Sequence, residues 1–136
     1  MAYADTAAGA IILESGPRFI VTAGAAIEAG DLVGYSSGYV LALATVGTAI
    51  KAQWVALHKA ASGAQVQLSR YAIVKGRSSG ATVGGAVYLA EGTAAGDSTQ
   101  TQPATSGDVD TQIGVAIAAD TNEFSIPLAG AQGVAI

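Results

Sequence analysis

The sequence predicts a mainly β domain, and three observations carry that reading. Gly, Asn, Asp and Ser punctuate the chain roughly every eight to twelve residues. Between them sit short runs rich in Val, Ile, Leu and Tyr, the pattern of an all-β barrel or sandwich. The best helical pattern, Ile50, Trp54, Leu57 and Ala61, is confined to one short segment. The candidate strands are Ala10 to Glu14, Arg18 to Thr22, Asp31 to Tyr35, Tyr39 to Ala44, Ala64 to Lys75, Ala86 to Ala90, Gln112 to Ala118 and Glu123 to Leu128.

Within the long candidate, Val66 and Leu68 share one parity while Tyr71 and Ile73 share the other. A one-residue slip flips every side chain to the opposite face, so a bulge or bend is expected near Ser69 and Arg70. Gly76-Arg77-Ser78-Ser79-Gly80 reads as a loop closing that strand. Residues 91–111 hold hardly any large apolar residue and read as an exposed loop, and 129–136 as a C-terminal tail.

The chain has 136 residues, enough for one domain with a core of its own. It has no cysteine, which removes disulfides and thiolate metal sites. It is 51% hydrophobic yet only 12% charged, about half the charge of an ordinary soluble domain. Such a surface suits an assembly protein better than a freely diffusing monomer. A net charge of −4 argues against nucleic acid as a partner, because phosphate contacts need clustered Lys and Arg. All basic residues lie at or before Arg77, and from residue 78 onward only acids occur: Glu91, Asp97, Asp108, Asp110, Asp120 and Glu123. Complementary docking between copies is one consequence; the alternative is that the two halves interleave in space and the asymmetry disappears. No apolar run of about 18 residues spans a membrane, so no membrane partner is expected. The opening Met1-Ala2-Tyr3-Ala4-Asp5 lacks the basic region of a secretory signal, which points to synthesis in a cytoplasm.

The sequence also carries an internal repeat, with copies at 24–68 and 79–128. Val55-Ala56-Leu57 and Gln65-Val66-Gln67-Leu68 match Val115-Ala116-Ile117 and Ser125-Ile126-Pro127-Leu128 without a gap. Upstream, Glu28-Ala29-Gly30-Asp31-Leu32-Val33 matches Val83-Gly84-Gly85-Ala86-Val87-Tyr88 at a slightly shorter offset. If the copies correspond, Val55 to Leu57 is strand and not helix. A chance match in a chain rich in Ala, Gly and Val is the alternative.

The same residues carry a family resemblance. Ala29-Gly30-Asp31-Leu32-Val33, Val55-Ala56-Leu57, Ala61-Ser62-Gly63, Val66-Gln67-Leu68, Gly85-Ala86-Val87-Tyr88 and Ile113-Gly114-Val115-Ala116-Ile117, in that order, resemble the small phage capsid decoration (cement, or head-stabilising) proteins. The resemblance covers most of residues 20–128. It implies a compact β-barrel or β-tulip-like domain, similar to the lambda-type head decoration fold, over residues 17–128. It further implies a homotrimer on the capsid exterior of a virion, and an extended N-terminal arm, residues 1–16, reaching onto the major capsid protein. The contacts expected on that arm are Tyr3, Ile11, Ile12 and Leu13. Read from the residues alone, Ala10-Ile11-Ile12-Leu13 is β-prone and would pair with a free strand edge, either a partner's or one of this domain.

Competing chemistry is weak. His58 is the only histidine and has no acid near it in sequence. Residues 76–80 and Gly84-Gly85 lack the Lys-Ser/Thr ending of a phosphate loop. Asp108-Val109-Asp110 offers too few oxygens for a hard cation and reads as a solvated acidic loop. Trp54 and the tyrosines form either packing or, in a different function class, a carbohydrate platform. No catalytic residue, cofactor or metal is therefore expected. A head-fibre or tail-associated β module is the other structural reading.

Overall fold

The computed structural model describes residues 3–5, 10–92, 94–128 and 131–136. The described residues contain thirteen strands and no α-helix. They are β1 (Ala4–Asp5), β2 (Ile11–Ser15), β3 (Arg18–Thr22), β4 (Leu32–Tyr35), β5 (Tyr39–Leu41), β6 (Trp54–Ala56), β7 (Gln65–Ser69), β8 (Tyr71–Lys75), β9 (Ser78–Ser79), β10 (Ala86–Leu89), β11 (Ser98–Thr99), β12 (Gln112–Ala118) and β13 (Thr121–Ser125). The helical spacing around Trp54 belongs to a strand, as the repeat requires.

Two antiparallel sheets hold most of the chain. One runs β3-β7-β6-β4-β5 and the other β11-β10-β12-β13-β8-β2; β1 and β9 form a separate two-stranded ribbon. The fold is mainly β as expected, but the two sheets are distinct ladders and no closed barrel is seen among the described residues. The parity switch at Ser69 and Arg70 is where the chain leaves one sheet and enters the other. Ser69 Oγ donates to the Tyr71 carbonyl there and accepts from the Tyr71 N–H, at 2.9 and 3.3 Å, satisfying the backbone at the corner.

Stripped of β2, the sheets share one strand order and one connectivity, with β3, β4, β5, β6 and β7 matching β8, β10, β11, β12 and β13. Facing the other sheet, the rung Ser69–Val55–Leu32 answers the rung Phe124–Gly114–Val87. Leu32 and Val87 thus correspond as the upstream alignment has them. The ungapped hairpin match does not hold. Val55 lies opposite Ser69 across the long connection 57–64, whereas Val115 lies opposite Glu123 across the tight turn at 119–120. Ile126 and Leu128 fall beyond β13, so they are not the counterparts of Val66 and Leu68.

The main core lies between the sheets, with Leu32 and Val55 facing Ala72, Val74, Val87, Ile113 and Phe124. The five-stranded sheet buries its outer face too. Val33, Ala56, Val66 and Leu68 pack there under Ala23, Ile27 and Ala60, and the two covering segments are bridged at Ile27–Ala60. That is why both parities of this sheet are apolar.

Three expected loops or tails are corrected. Residues 91–111 carry β11 and the buried Asp108 and Val109. The 76–80 loop holds β9 and the buried Arg77. The described part of the tail, 131–136, buries Gln132 and bridges Val134 to Val109. The N-terminal arm is corrected in the same way over its described residues. β1 pairs with β9, and β2 adds to the edge of β8, with Ile12 packed against the core. The β-prone run finds its edge within its own domain. Residues 1–2 and 6–9 of the expected arm lie outside the described residues.

Deletion of residues 2–14 is therefore expected to abolish or strongly lower the cooperative thermal transition. Scanning calorimetry of the truncated chain checks this, and an unchanged transition would show β1 and β2 to be mere appendages.

Candidate interaction surface

β2 and β3 are consecutive in the chain and form outer edges of different sheets, joined across Gly16-Pro17. An edge strand has one row of backbone groups without a ladder partner, and its side chains are shielded on one flank only. Here those side chains are large and apolar. Ile11 is 58% exposed, Leu13 56%, Ile20 59% and Phe19 38%. Of the expected contact residues, the structure leaves Ile11 and Leu13 on the surface and turns Ile12 inward. Leu13 sits at a register shift between Ile12 and Glu14, a bulge that lets neighbouring residues both point outward. Tyr3 is half-buried. It packs against the core, and its hydroxyl bonds Ser98 Oγ at 2.5 Å and accepts from Asn122 Nδ2 at 2.8 Å.

Beside the β3 edge lies a shallow cavity of about 280 Å³, lined by Pro17, Phe19, Trp54, Ser69, Arg70 and Tyr71. Phe19 meets the Trp54 ring edge-on at 5.6 Å, and the Tyr39 ring lies tilted to it at 5.4 Å. The Arg70 guanidinium lies over Trp54, 5.8 Å from the ring centroid. In the sequence Trp54 reads as packing or platform and nothing local marks Arg70, a cation that meets no acid among the described residues.

A buried ion cluster fixes these edges in place. Arg77, 3% exposed, reaches Asp5 Oδ1 with Nε at 2.6 Å, Asp31 Oδ1 with Nη1 at 2.5 Å and Asp97 Oδ1 with Nη2 at 2.7 Å. It also donates to the Ala29 carbonyl at 3.2 Å. Asp31 accepts in addition from the Glu28 N–H, and Asp5 from the N–H and hydroxyl of Ser98. The sequence held a signal for this cluster that went unread: Ala29-Gly30-Asp31 and Ala95-Gly96-Asp97 are the same turn twice. In each, the Asp N–H bonds the carbonyl three residues back, and the glycine takes φ of +85° or +83°. A Cβ on Gly30 would come within 3.1 Å of the Arg77 side chain, and one on Gly96 within 3.2 Å of Asp31. Both positions require glycine. Thr105-Ser106-Gly107-Asp108 repeats the device, and buried Asp108 caps the Val46 N–H at 2.7 Å. Asp108 is thus a structural carboxylate and not a solvated one. The neighbouring Glu91 carboxyl, then the Val46 N–H, hold it below the ordinary aspartate range, and Glu91 is raised in turn.

His58 is engaged at both ring nitrogens, with Nδ1 on the Lys59 carbonyl and Nε2 accepting from the Gln67 N–H. Among the described residues no group of three or more His, Cys, Asp or Glu is placed to hold a metal. Comparison with family models, with curated proteins and with solved structures found no match.

The ion cluster predicts an unusual pH response. Burial raises the Asp31 carboxyl above the ordinary aspartate range despite Arg77; burial and then Asp5 raise Asp97 likewise. For Arg77, burial works to lower the pKa and is overridden by Asp5 and Asp31, so it stays charged. A raised carboxyl binds protons in the folded state that the unfolded chain has released. These two groups therefore make stability fall as pH rises from the ordinary aspartate value through the raised ones. Above the ordinary aspartate range, acidification should therefore raise the Tm of the wild-type chain relative to that of Asp97→Asn, a difference read from melting curves at stepped pH. Arg77→Met should cost about 3–5 kcal/mol in urea denaturation, because it strands three carboxylates without their cation.

Proposed function

We propose that this chain is a capsid decoration protein: a non-enzymatic β module, made in a host cytoplasm, that binds the major capsid protein on the exterior of a phage virion. The observation that carries the reading is the pair of consecutive edge strands, β2 and β3, presenting Ile11, Leu13, Phe19 and Ile20 to solvent. A chain with 12% charged residues and this much apolar area at sheet edges is suited to being covered by a lattice. The order of the short motifs, which resembles that of decoration proteins, supports the same reading. The lone histidine, engaged at both nitrogens, lends no support to acid–base catalysis. In this role the protein acts by adhesion, and a homotrimer multiplies a modest contact into a tight one.

Co-sedimentation with phage shells lacking their decoration protein tests the proposal. The wild-type chain is expected to pellet with the shells, and light scattering is expected to return a trimer. Ile11→Lys with Leu13→Lys should weaken shell binding on the order of tenfold or more, since each removes apolar contact and adds a charge to be desolvated. Both positions are exposed, so Tm should move little. A chain that stays monomeric and leaves the shells bare would overturn the proposal.

A further inference from the structure

We infer that the open edge of β3 takes an extended segment of a partner protein, and that Arg70 receives an acidic side chain from that segment. Two independent observations lead there. The first is the repeat. β3 and β8 are counterparts, each bordering the central strands of its sheet, and β8 carries β2 on its outer edge while β3, among the described residues, has only β7 beside it. Within this molecule, then, the matching edge already accepts an antiparallel strand. The fold tolerates an added strand at that place, and main-chain hydrogen bonds would supply the affinity.

The second observation is the cation next to that edge. Arg70 Nη1 is buried without a hydrogen-bond partner, and Arg70 enters none of the ion pairs found among the described residues. The other lining residues of its cavity are Pro17, Phe19, Trp54, Ser69 and Tyr71, none of them acidic. Arg70 is part-exposed, so its guanidinium has lost water at Nη1 without gaining a counter-charge among the described residues while the rest of the fork stays open, and a carboxylate meets such a fork with two parallel hydrogen bonds. The cavity also decides what carries the carboxylate. Ser69 Oγ is bonded to the Tyr71 carbonyl, and the Tyr71 hydroxyl donates to Glu123 at 2.8 Å. Few groups remain to read the hydroxyls of a sugar acid, whereas the apolar walls suit the methylenes of a glutamate. The inference does not depend on which particle bears the partner.

Trp54, the only tryptophan, lies under Arg70 and reports on the cavity by its fluorescence. The test is a titration of the purified full chain with an acetylated, amidated seven-residue peptide alternating Thr and Val with Glu at its centre. The expected result is a saturable change in Trp54 emission, weakened on the order of tenfold by Gln in place of the peptide's Glu or by Arg70→Gln. Amide exchange across Arg18–Thr22 should slow when the peptide is bound. Arg70→Lys keeps the charge without the fork and should give an intermediate affinity. Because Arg70 enters no ion pair among the described residues and gives up only its contact with the Trp54 ring, Arg70→Gln should retain its thermal transition. Equal response to the Glu and Gln peptides, undiminished binding by Arg70→Gln, or tighter binding of glucuronate than of the Glu peptide would each overturn the assignment. These outcomes are read without capsids, so they are separable from failure of the decoration reading.

Discussion

The placement of the described N-terminal segment, and of the edges it helps to build, depends on one guanidinium. Arg77 gathers Asp5 from the start of the chain, Asp31 from the turn leading into β4 and Asp97 from the turn leading into β11. Those three segments belong to the two-stranded ribbon, to the five-stranded sheet and to the six-stranded sheet. The planar fork of an arginine admits few ways of meeting three carboxylates, so the cluster fixes how these parts meet. An excess of buried negative charge is a net cost, visible in the raised Asp31 and Asp97 carboxyls. Apolar side chains of similar volume would fill the same space without that cost, but they would specify the arrangement less sharply.

The cluster also accounts for the asymmetry between two sheets of common strand order. The five-stranded sheet is covered on its outer face by its own long connections, 23–31 and 57–64. In the six-stranded sheet the corresponding hairpin connection shrinks to the tight turn at 119–120, and the addition comes at the edge, where β2 lies on β8. Asp5 on Arg77 and Tyr3 on Ser98 and Asn122 hold the chain just before β2. The strand that lacks a counterpart thus follows, in the chain, the strand tied down by the ions.

Much of the fold was legible because strand signals are local. The runs Arg18 to Thr22 and Gln112 to Ala118 coincide with β3 and β12, and the parity switch at Ser69 and Arg70 marked the passage between sheets. The repeat was legible as topology but not as register. Similar residues can be matched without knowing that one hairpin loop is long and the other tight. What sequence did not reveal was set by partners distant in the chain. Arg77 looked like a loop residue because its three carboxylates lie far apart in sequence, although the doubled Ala-Gly-Asp turn was there to be read. Ile12 and Leu13 are adjacent and equally apolar; alternation puts them on opposite faces, and only the register on β8, with Ile12 opposite Val74, decides which one is core. Tyr3 resembled an arm residue until Ser98 and Asn122 claimed its hydroxyl.

The bulge at Leu13 bears on how such an edge stays soluble. An open, flat, apolar strand invites pairing with any other chain, itself included. β2 departs from flatness at Leu13, and exposed Glu14 follows directly. β3 begins after Pro17, which has no N–H to offer, and its first residue is Arg18, held by Ser15 and Gln67. A second copy approaching at random would have to fit the bulge and strip water from Glu14 or Arg18. A partner whose shape and charge match these features faces neither penalty and still gains Ile11, Leu13, Phe19 and Ile20 as apolar contact. Selectivity at this surface therefore comes less from the apolar residues, which attract many partners, than from the irregular backbone and charges set among them.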